Sequence, residues 1–497
     1  MAEFDLAIIG GGINGVGIAR DAAGRGLRVL LVEQKDLASG TSSASSKLIH
    51  GGLRYLEHYE FRLVREALQE REVLLRMAPH LIRPMRLVLP PLPGVRSALL
   101  LRLGLFIYDR LGGRKILPST RTVDLTRDPA GAPLKASFQY GFEYSDCAVD
   151  DARLVVLTAL DAAERGATIR TRIRCIHAAR HREWNLTLSD SRGESVVTAR
   201  ALINAAGPWI RNVADSVLHE PLSLPVRLVK GSHLVVRKLF SHGEGYLFEA
   251  RDRRVVFALP FHDEFTLIGT TDENFTGDLD SPAPESHELN YLCGIVNEYF
   301  KQTISPADSV WSFAGVRPLH DDGAAAPKDV TRDYMLTLDE QPEKAPLLTI
   351  YGGKITTYRR LAEAALERMT HLFDMRQPWT ATSFLPGGDF PIDGLSALID
   401  DLRRRWPFLT ESHARRLARA YGTRTERILG NARRVEDLGL RLAGDLTGAE
   451  VEYLMRTEWA RSPDDVLWRR SKLGLFSGAK ERHALERLMM AGGARPH

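Results

Sequence analysis

Three glycines near the start of the chain have the spacing of a loop that binds a dinucleotide. Gly10, Gly12 and Gly15 fit the pattern G-x-G-x-x-G, after a short apolar segment and before residues with helix-forming composition. Glycine lets the backbone approach a pyrophosphate, and the N-terminus of the following helix supplies unpaired N–H groups. Glu33 follows Gly12 by 21 residues, where a carboxylate accepts hydrogen bonds from ribose hydroxyls. The pattern predicts a dinucleotide site and does not distinguish FAD from NAD.

A set of cationic side chains near glycine, proline or aromatic residues has the chemistry of a phosphate site. The set is Arg54, Arg317, Arg332 and Lys354. Guanidinium groups and an ammonium match a phosphate dianion in charge and geometry. We expect Arg317 and Arg332 to be the main ligands of a substrate phosphate, although a lone arginine is more often a solvated surface charge.

The first candidate for a proton acceptor is His233, because an unperturbed imidazole titrates near neutral pH. A structural histidine in a strand is nearly as good an interpretation. His50 competes with it, but its position before Gly51 and Gly52 favours contact with a cofactor. Arg317 or a bound water could also take the proton, so the sequence leaves the base open.

Length and composition describe an ordinary globular protein of more than one domain. The 497 residues are 44% hydrophobic and 26% charged, which excludes a disordered, collagen-like or coiled-coil chain. The net charge of +4 is small for this length and does not by itself indicate a nucleic-acid partner. Three cysteines, Cys147, Cys175 and Cys293, cannot form a disulfide framework, which favours a reducing, intracellular compartment. Neither a secretory signal nor a spanning apolar stretch is predicted.

A long serine-rich block follows the βαβ unit that the first 35 residues predict. The block runs from Gly40 to Glu57 and reads GTSSASSKLIHGGLRYLE. Together with the glycine loop it resembles the flavin-dependent (aerobic, respiratory) glycerol-3-phosphate dehydrogenases. Further blocks that extend this resemblance, in order along the chain, are 142–153, 204–209, 269–272, 315–319, 331–334 and 351–359.

The resemblance implies noncovalently bound FAD and oxidation of sn-glycerol 3-phosphate to dihydroxyacetone phosphate by hydride transfer to flavin N5. It also implies that the electrons pass to a membrane quinone. The protein would be a homodimer, attached peripherally to the cytoplasmic face of the inner membrane. No nucleic acid is expected as a partner. No metal is expected either, since no D-x-D-x-D-G calcium loop occurs.

The expected site residues come from the matching blocks, except that Glu33 comes from its spacing after the glycine loop and His233 from the titration range of imidazole. The cofactor residues are Gly10, Gly12, Asn14, Gly15, Glu33, Thr41, Ser42, Ser45, Ser46, Lys47, His50, Gly51, Gly52, Ala205, Gly207, Gly353, Lys354 and Thr356. The substrate residues are Arg54, Tyr55, Thr270, Arg317 and Arg332. The catalytic residues are His233, Arg317 and Lys354.

The element pattern and the resemblance together predict an α/β fold with three parts. These are an FAD-binding Rossmann-like domain, an inserted antiparallel-sheet substrate domain and a C-terminal helical domain. The FAD-binding domain is assigned to 1–80, 150–224 and 347–388. A basic and apolar segment with part of the substrate domain spans 81–149, the substrate-binding sheet spans 225–346, and the helical domain spans 389–497.

The residue types in two segments of the matching blocks suit contacts with a flavin cofactor. Gly352, Gly353 and Lys354 precede a helix. A helix N-terminus with an ammonium would stabilise negative charge at the N1–C2 edge of the reduced flavin, and a plain helix-capping turn is the alternative. The serines between Ser42 and Ser46 would bind the phosphates and the ribityl chain, with a flexible linker as the alternative.

The segment from Arg76 to Lys115 is strongly basic, with eight basic residues and one acidic residue. Within it, 99–108 is apolar nearly all round and too short to span a bilayer. An interfacial helix beside basic residues suits an anionic membrane surface. We expect this region to dock on lipid, and a buried core helix or a dimer contact is an equally good interpretation.

Other activities remain open at this stage. An oxidase on the same scaffold would pass its electrons to oxygen and form hydrogen peroxide. A nucleotide-binding regulatory or nucleic-acid-binding module would use the basic surface without redox activity, although no nucleic-acid motif occurs. A flavin amine oxidase fits less well, because an amino-acid carboxylate does not require several clustered cations.

Overall fold

The computed structural model describes residues 2–92, 97–113, 116–324, 326–327 and 330–493. The described strands are β1 (Phe4–Ile9), β2 (Val29–Glu33), β3 (Leu48–Ile49), β4 (Ile82–Leu89), β5 (Arg121–Asp124), β6 (Tyr140–Val149), β7 (Thr168–Thr171), β8 (Arg174–Arg180), β9 (Trp184–Asp190), β10 (Gly193–Asn204), β11 (Val226–Arg237), β12 (Gly245–Glu249), β13 (Val255–Phe261), β14 (Phe265–Gly269), β15 (Glu273–Asn274), β16 (Ser309–His320), β17 (Met335–Asp339) and β18 (Leu347–Tyr351). The described helices are α1 (Ile13–Gly24), α2 (Phe61–Met77), α3 (Ala98–Leu111), α4 (Asp151–Glu164), α5 (Ile210–Val213), α6 (Ser286–Tyr299), α7 (Tyr358–Glu367), α8 (Leu395–Arg405), α9 (Glu411–Tyr421), α10 (Thr425–Leu429), α11 (Gly448–Thr457) and α12 (Ala479–Gly493). The predicted α/β fold class, with two sheets and a helical C-terminal part, is confirmed.

The first sheet is largely parallel and holds the N-terminal strand near its centre. Its order is β17-β18-β10-β1-β2-β7, while β9 pairs antiparallel with β10 and β8 pairs antiparallel with β9. Every residue of β1 is buried, as expected for a strand between helices, and α1, α4 and α7 share its core. Because β1, β2, β10 and β18 run parallel, their C-terminal ends meet at one edge. That edge collects Gly10, Glu33, Ala205 and Gly352.

The second sheet is mainly antiparallel, and residues of both sheets line one cavity. Its order is β15-β11-β14-β13-β12-β4-β6-β3, while β16 pairs with β11 and β5 pairs with β6. Leu292 of α6 packs with Leu234 of β11 in the core of this sheet. The register sets His233 of β11 opposite Gly269 of β14 and Phe313 of β16. The strands that carry His233, Thr270 and Arg317 are therefore neighbours.

Buried ion pairs attach the C-terminal helices to the nucleotide-binding part. Arg470 is fully buried and donates to both carboxylate oxygens of Asp36, at 2.6 and 2.8 Å. In a second pair the arginine belongs to the nucleotide-binding part: Arg153 of α4 pairs with the buried carboxylate of Glu458 in the C-terminal part. Breaking a buried pair leaves an uncompensated charge, which is strongly destabilising. These pairs therefore hold the helical part against α4 and against the segment that follows Glu33.

All three cysteines are buried and free, as expected for packing residues. In the described ranges, no group of histidine, cysteine, aspartate and glutamate side chains could hold a metal ion. Within the same ranges, no helix combines the length and apolarity needed to cross a bilayer. The domain boundaries assigned from the sequence stay predictions.

Candidate active site

A large cavity opens where the parallel strands of the first sheet end. Its volume is about 1310 Å³, and residues of both sheets line it. Most predicted site residues line this cavity, namely Gly10, Gly12, Asn14, Glu33, Thr41, Ser42, Ser45, Ser46, His50, Gly52, Arg54, Tyr55, Ala205, Gly207, Thr270, Arg317, Arg332, Gly353, Lys354 and Thr356. Four predicted residues lie outside its lining: Gly15, Lys47, Gly51 and His233.

The glycine loop leaves no room for a side chain at two of its positions. A Cβ on Gly10 would lie 2.5 Å from the carbonyl oxygen of Ala205, and the φ of Gly10 is +118°. A Cβ on Gly15 would lie 2.0 Å from the carbonyl oxygen of Gly10. At Gly12 the nearest atom to a Cβ is Ser42 Oγ, at 3.1 Å. Packing of the protein itself thus requires Gly10 and Gly15, whereas Gly12 keeps open the space before the helix N-terminus.

Glu33 holds the same loop from the second strand. Its Oε2 accepts the N–H of Gly11 and its Oε1 accepts the N–H of Lys35, both at 2.8 Å. Burial raises the pKa of the Glu33 carboxyl, and the two backbone hydrogen bonds oppose that rise. The carboxyl group also lines the cavity, as a ribose ligand would.

The serine run is a structured wall of the cavity and not a flexible linker. Ser42 Oγ accepts the N–H of Ile13 at 3.0 Å, and Ser45 Oγ donates to Asp151 at 2.7 Å. Lys47 Nζ donates to both carboxylate oxygens of Asp151, at 2.9 Å each. Lys47 therefore supports the wall from behind instead of lining the cavity.

The turn before α7 is tied to the glycine loop. Asn14 Nδ2 donates to the carbonyl of Gly352 at 3.0 Å, while the buried Asn14 Oδ1 has no hydrogen-bond partner within the described residues. Gly353 has a φ of +99°, and a Cβ there would lie 2.9 Å from Asn14 Nδ2. Lys354 Nζ lies 3.6 Å from the centroid of the Tyr55 ring. Burial lowers the pKa of Lys354, and Tyr55 opposes the shift.

His50 and Gly51 connect the cavity wall to other elements. The N–H of His50 donates to Thr356 Oγ1 at 3.2 Å, and burial lowers the pKa of its imidazole to about 3. The N–H of Gly51 donates to the Tyr108 hydroxyl at 2.8 Å, and that hydroxyl donates to Asp146 at 2.8 Å. Gly51 thus anchors the wall to α3 and does not face the cavity.

The three predicted arginines converge on one carboxylate. Arg317 Nη1 donates to Asp272 Oδ1 at 3.0 Å, and Arg332 Nη2 donates to the same oxygen at 2.8 Å. Arg54 Nη1 lies 3.8 Å from Asp272 Oδ2. Arg332 is buried, and its Nη1 has no hydrogen-bond partner in the described part of the chain. Sequence reasoning missed Asp272, whose only signal was its position at the end of the block 269–272.

His233 lies behind the cavity wall. Its side chain is 1% exposed and stacks on Phe313, with 4.8 Å between the ring centroids. Its Nε2 lies 2.9 Å from Ser46 Oγ. Burial lowers the pKa of His233 well below its ordinary value, and the charges of Arg317 and Lys47 add to the shift. The imidazole is therefore neutral at pH 7 and reaches the cavity through the hydroxyl of Ser46.

Helix α3 forms one side of the cavity, which the sequence did not predict. The α3 residues in the lining are Leu100, Leu101, Leu103, Gly104 and Ile107. The side chains of Leu99 and Phe106 are 79% and 53% exposed, so α3 is not a buried core helix. Three cations of the predicted basic segment, Arg96, Arg114 and Lys115, lie outside the described residues.

The cavity fits a flavin dinucleotide. Gly12 leaves the N-terminus of α1 open to a pyrophosphate, and Glu33 stands where a ribose would bind. The buried Asn14 Oδ1 needs a donor, and Lys354 brings an ammonium to the same wall. The cavity therefore has groups complementary to the nucleotide half of a flavin dinucleotide and to the polar edge of its ring system.

Comparisons with known proteins agree with this fit. The family model described as FAD dependent oxidoreductase matches residues 5–359, and the C-terminal domain of alpha-glycerophosphate oxidase matches residues 378–493. The glycerol-3-phosphate dehydrogenase of Pseudomonas aeruginosa is 52% identical to this chain, over 95% of this chain and 92% of that protein. The D-erythritol 1-phosphate dehydrogenase of Brucella abortus is 50% identical, over 97% of this chain and 96% of that protein.

A solved structure extends the match to three dimensions. The glycerol-3-phosphate dehydrogenase from Bacillus halodurans, complexed with FAD, has a TM-score of 0.75 and 25% identity, over 99% of this chain and 95% of that one. FAD is the cofactor of this protein. The chain belongs to the FAD dependent oxidoreductases and, among them, to the family of the flavin-dependent glycerol-3-phosphate dehydrogenases.

Proposed function

We propose that the protein oxidises sn-glycerol 3-phosphate to dihydroxyacetone phosphate. The observation that carries this proposal is the convergence of Arg54, Arg317 and Arg332 on the cavity wall. Forked guanidinium donors match a phosphate dianion, which a phosphorylated polyol presents. The 52% identity to a dehydrogenase named for glycerol 3-phosphate supports this substrate.

Substrate binding is assigned to the three arginines with Tyr55 and Thr270, which line the same cavity. The unpartnered Nη1 of Arg332 would donate to a phosphate oxygen, because a buried donor without a partner is costly to leave unpaired. Lys354, with the N-terminus of α7, would stabilise negative charge at the polar edge of the flavin ring.

The hydroxyl proton of the substrate has to leave as the adjacent carbon is oxidised. We assign it to Ser46 and His233: Ser46 takes the proton and passes its own to His233 Nε2, 2.9 Å away. Burial lowers the pKa of His233, so its imidazole is unprotonated before the reaction and Nε2 is free to accept a proton. When bound, FAD supplies the hydride acceptor. Arg317 or a water molecule is the alternative acceptor of the proton.

Anaerobic addition of glycerol 3-phosphate to the purified yellow protein tests the reaction. We expect the flavin absorbance in the visible range to bleach in proportion to the dihydroxyacetone phosphate formed. A flavin that stays oxidised under excess substrate would contradict the proposal and would favour the regulatory-module interpretation.

A second candidate substrate is D-erythritol 1-phosphate. The relative named for it is 50% identical over nearly the whole chain, which is close to the identity of the relative named for glycerol 3-phosphate. Both molecules carry a phosphate and a secondary alcohol, so the arginines do not separate them. The ratio of kcat/KM for the two substrates decides between them, and hydrogen peroxide formation in air identifies an oxidase.

We further propose that the electrons pass to a membrane quinone and that α3 docks the protein peripherally on the cytoplasmic face of the inner membrane. The exposed apolar side chains of α3, on a helix that also lines the cavity, support this arrangement. The expected homodimer stays a prediction, which light scattering of the purified protein can test.

A further inference from the structure

We propose that Asp272 is a resident counter-ion of the phosphate site, which competes with the substrate for its arginines and thereby limits how tightly the site binds a phosphate dianion. This proposal rests on the proposed function, because it takes the arginine site to be the phosphate site.

The contacts of Asp272 use the donors that a phosphate would need. One oxygen, Oδ1, accepts hydrogen bonds from Arg317 at 3.0 Å and from Arg332 at 2.8 Å. The other oxygen faces Arg54 at 3.8 Å. The Asp272 side chain is 12% exposed and lines the cavity. A carboxylate thus already lies between the three guanidinium groups, where a phosphate would bind.

The segment around Asp272 is held on both sides. Thr271 Oγ1 donates to the buried carboxylate of Glu288 at 2.7 Å. Arg254 Nη1 pairs with Glu273 Oε1 at 3.2 Å. Because both neighbours are anchored, Asp272 stays at the arginines when a ligand arrives and shares their donors with it.

The charges of the site decide the direction of the effect. Burial and the nearby charge of Arg332 lower the pKa of Arg317, while Asp272 raises it, so the carboxylate offsets repulsion among the arginines. Without that carboxylate, Arg317 and Arg332 lose the anion to which both donate. A phosphate dianion would then relieve more repulsion and find more free donors. Removing the charge of Asp272 should therefore tighten anion binding and destabilise the ligand-free protein.

The test is calorimetric titration of the FAD-loaded enzyme with inorganic phosphate and with sulfate, for the wild type and Asp272→Asn. We expect Kd for both anions to fall roughly tenfold in the variant, which corresponds to about 1.4 kcal/mol. The unfolding temperature of the variant should be lower without anion and should rise more when phosphate is added. Asp333→Asn is the matched control, since Asp333 pairs with Arg62 and not with the three arginines.

Each outcome bears on the proposal. Unchanged or weaker anion binding in Asp272→Asn would overturn it, because the carboxylate would then only hold the arginines in position. Absence of anion binding to the wild type would overturn it as well. If Asp272→Asn does not fold alone, Asp272→Ala serves as the second variant, and rescue of folding by sulfate supports the proposal whereas failure of rescue contradicts it. Flavin bleaching by glycerol 3-phosphate is measured separately, so a failure of the proposed reaction is distinguishable from a failure of the counter-ion.

Discussion

The imidazole of His233 faces the hydroxyl of Ser46 across 2.9 Å, and Ser46 alone of the two lines the cavity. Stacking on Phe313 holds the imidazole ring in that orientation. The pair has the arrangement of a hydroxyl group backed by a neutral base. A proton taken from the substrate would therefore move through Ser46 before it reaches His233.

Loss of either member of this pair should slow the chemical step. We expect His233→Asn and Ser46→Ala each to lower kcat, expressed per bound FAD, by about a hundredfold or more, the usual contribution of a general base. Ser43→Ala is the control, because Ser43 Oγ bonds only the carbonyl of Gly40 among its described contacts. Retention of most of kcat in His233→Asn would assign the proton to another acceptor.

Truncation of a phosphate ligand should affect substrate binding and leave the cofactor in place. Arg332→Ala or Arg317→Ala should raise KM for glycerol 3-phosphate about 30-fold or more, since each variant removes a charged donor to the substrate phosphate. Arg237→Ala provides the comparison, because Arg237 is an exposed arginine of the same sheet that pairs with Glu264. An unchanged KM in both site variants would reject these arginines as phosphate ligands.

The two glycines Gly12 and Gly15 should respond differently to alanine. Gly12 has a φ of −81°, which any residue can adopt, and a Cβ there would lie 3.1 Å from Ser42 Oγ, which would have to shift slightly. The free energy of unfolding of the Gly12→Ala apoprotein should therefore change by less than about 1 kcal/mol. Its FAD affinity, measured by flavin fluorescence, should fall about tenfold or more, as the pyrophosphate loses its close approach.

Gly15→Ala serves as the contrasting variant, because its Cβ would lie 2.0 Å from the carbonyl of Gly10. It should destabilise the apoprotein itself. Normal FAD binding by Gly12→Ala would show that no ligand approaches the loop at that position.

Buried histidines should make the protein less stable as the pH falls below about 6.5. Burial lowers the pKa to about 3 for His80 and His262 and to about 4 for His413. Below about pH 6.5 these histidines bind protons in the unfolded chain but not in the folded chain. Their contribution to the free energy of unfolding is therefore complete above the pKa of histidine in the unfolded chain and is lost as the pH decreases. Each histidine contributes at most about 1.4 kcal/mol per pH unit.

Urea unfolding midpoints of the wild type and His413→Gln between pH 7.5 and 5 measure this effect. The variant should lose less stability per pH unit than the wild type. Identical slopes for the two proteins would contradict this, because His413 would then bind its proton equally in the folded and unfolded states.

The exposed side of α3 should determine lipid binding. Leu99→Asp combined with Phe106→Asp should reduce flotation with anionic vesicles roughly tenfold or more, because the apolar contact with the interface is lost. Val196→Asp is the control, since Val196 is 65% exposed on the first sheet, away from α3 in the chain. Charge reversal at Arg102 and Arg110 should weaken flotation further, and undiminished flotation in all these variants would contradict docking through α3.

The sequence by itself determined the fold class and the chemistry of the nucleotide end, because both follow from local patterns. Gly10, Gly12, Gly15 and Glu33 lie within one βαβ unit, so their spacing along the chain already describes their arrangement in space. The sequence of the serine-rich block was specific enough to indicate the family. It did not show that Lys47 and Gly51 support the cavity wall from behind.

Tertiary structure alone decided the rest of the site. Asp272 stands 45 residues before Arg317 and 60 before Arg332, and the pairing of β11 with β14 and with β16 brings the segment of Asp272 near Arg317. His233 likewise meets Ser46 although 187 residues separate the two. Contacts of this length depend on strand register and on how the two sheets meet, and a one-residue shift would turn each side chain to the opposite face.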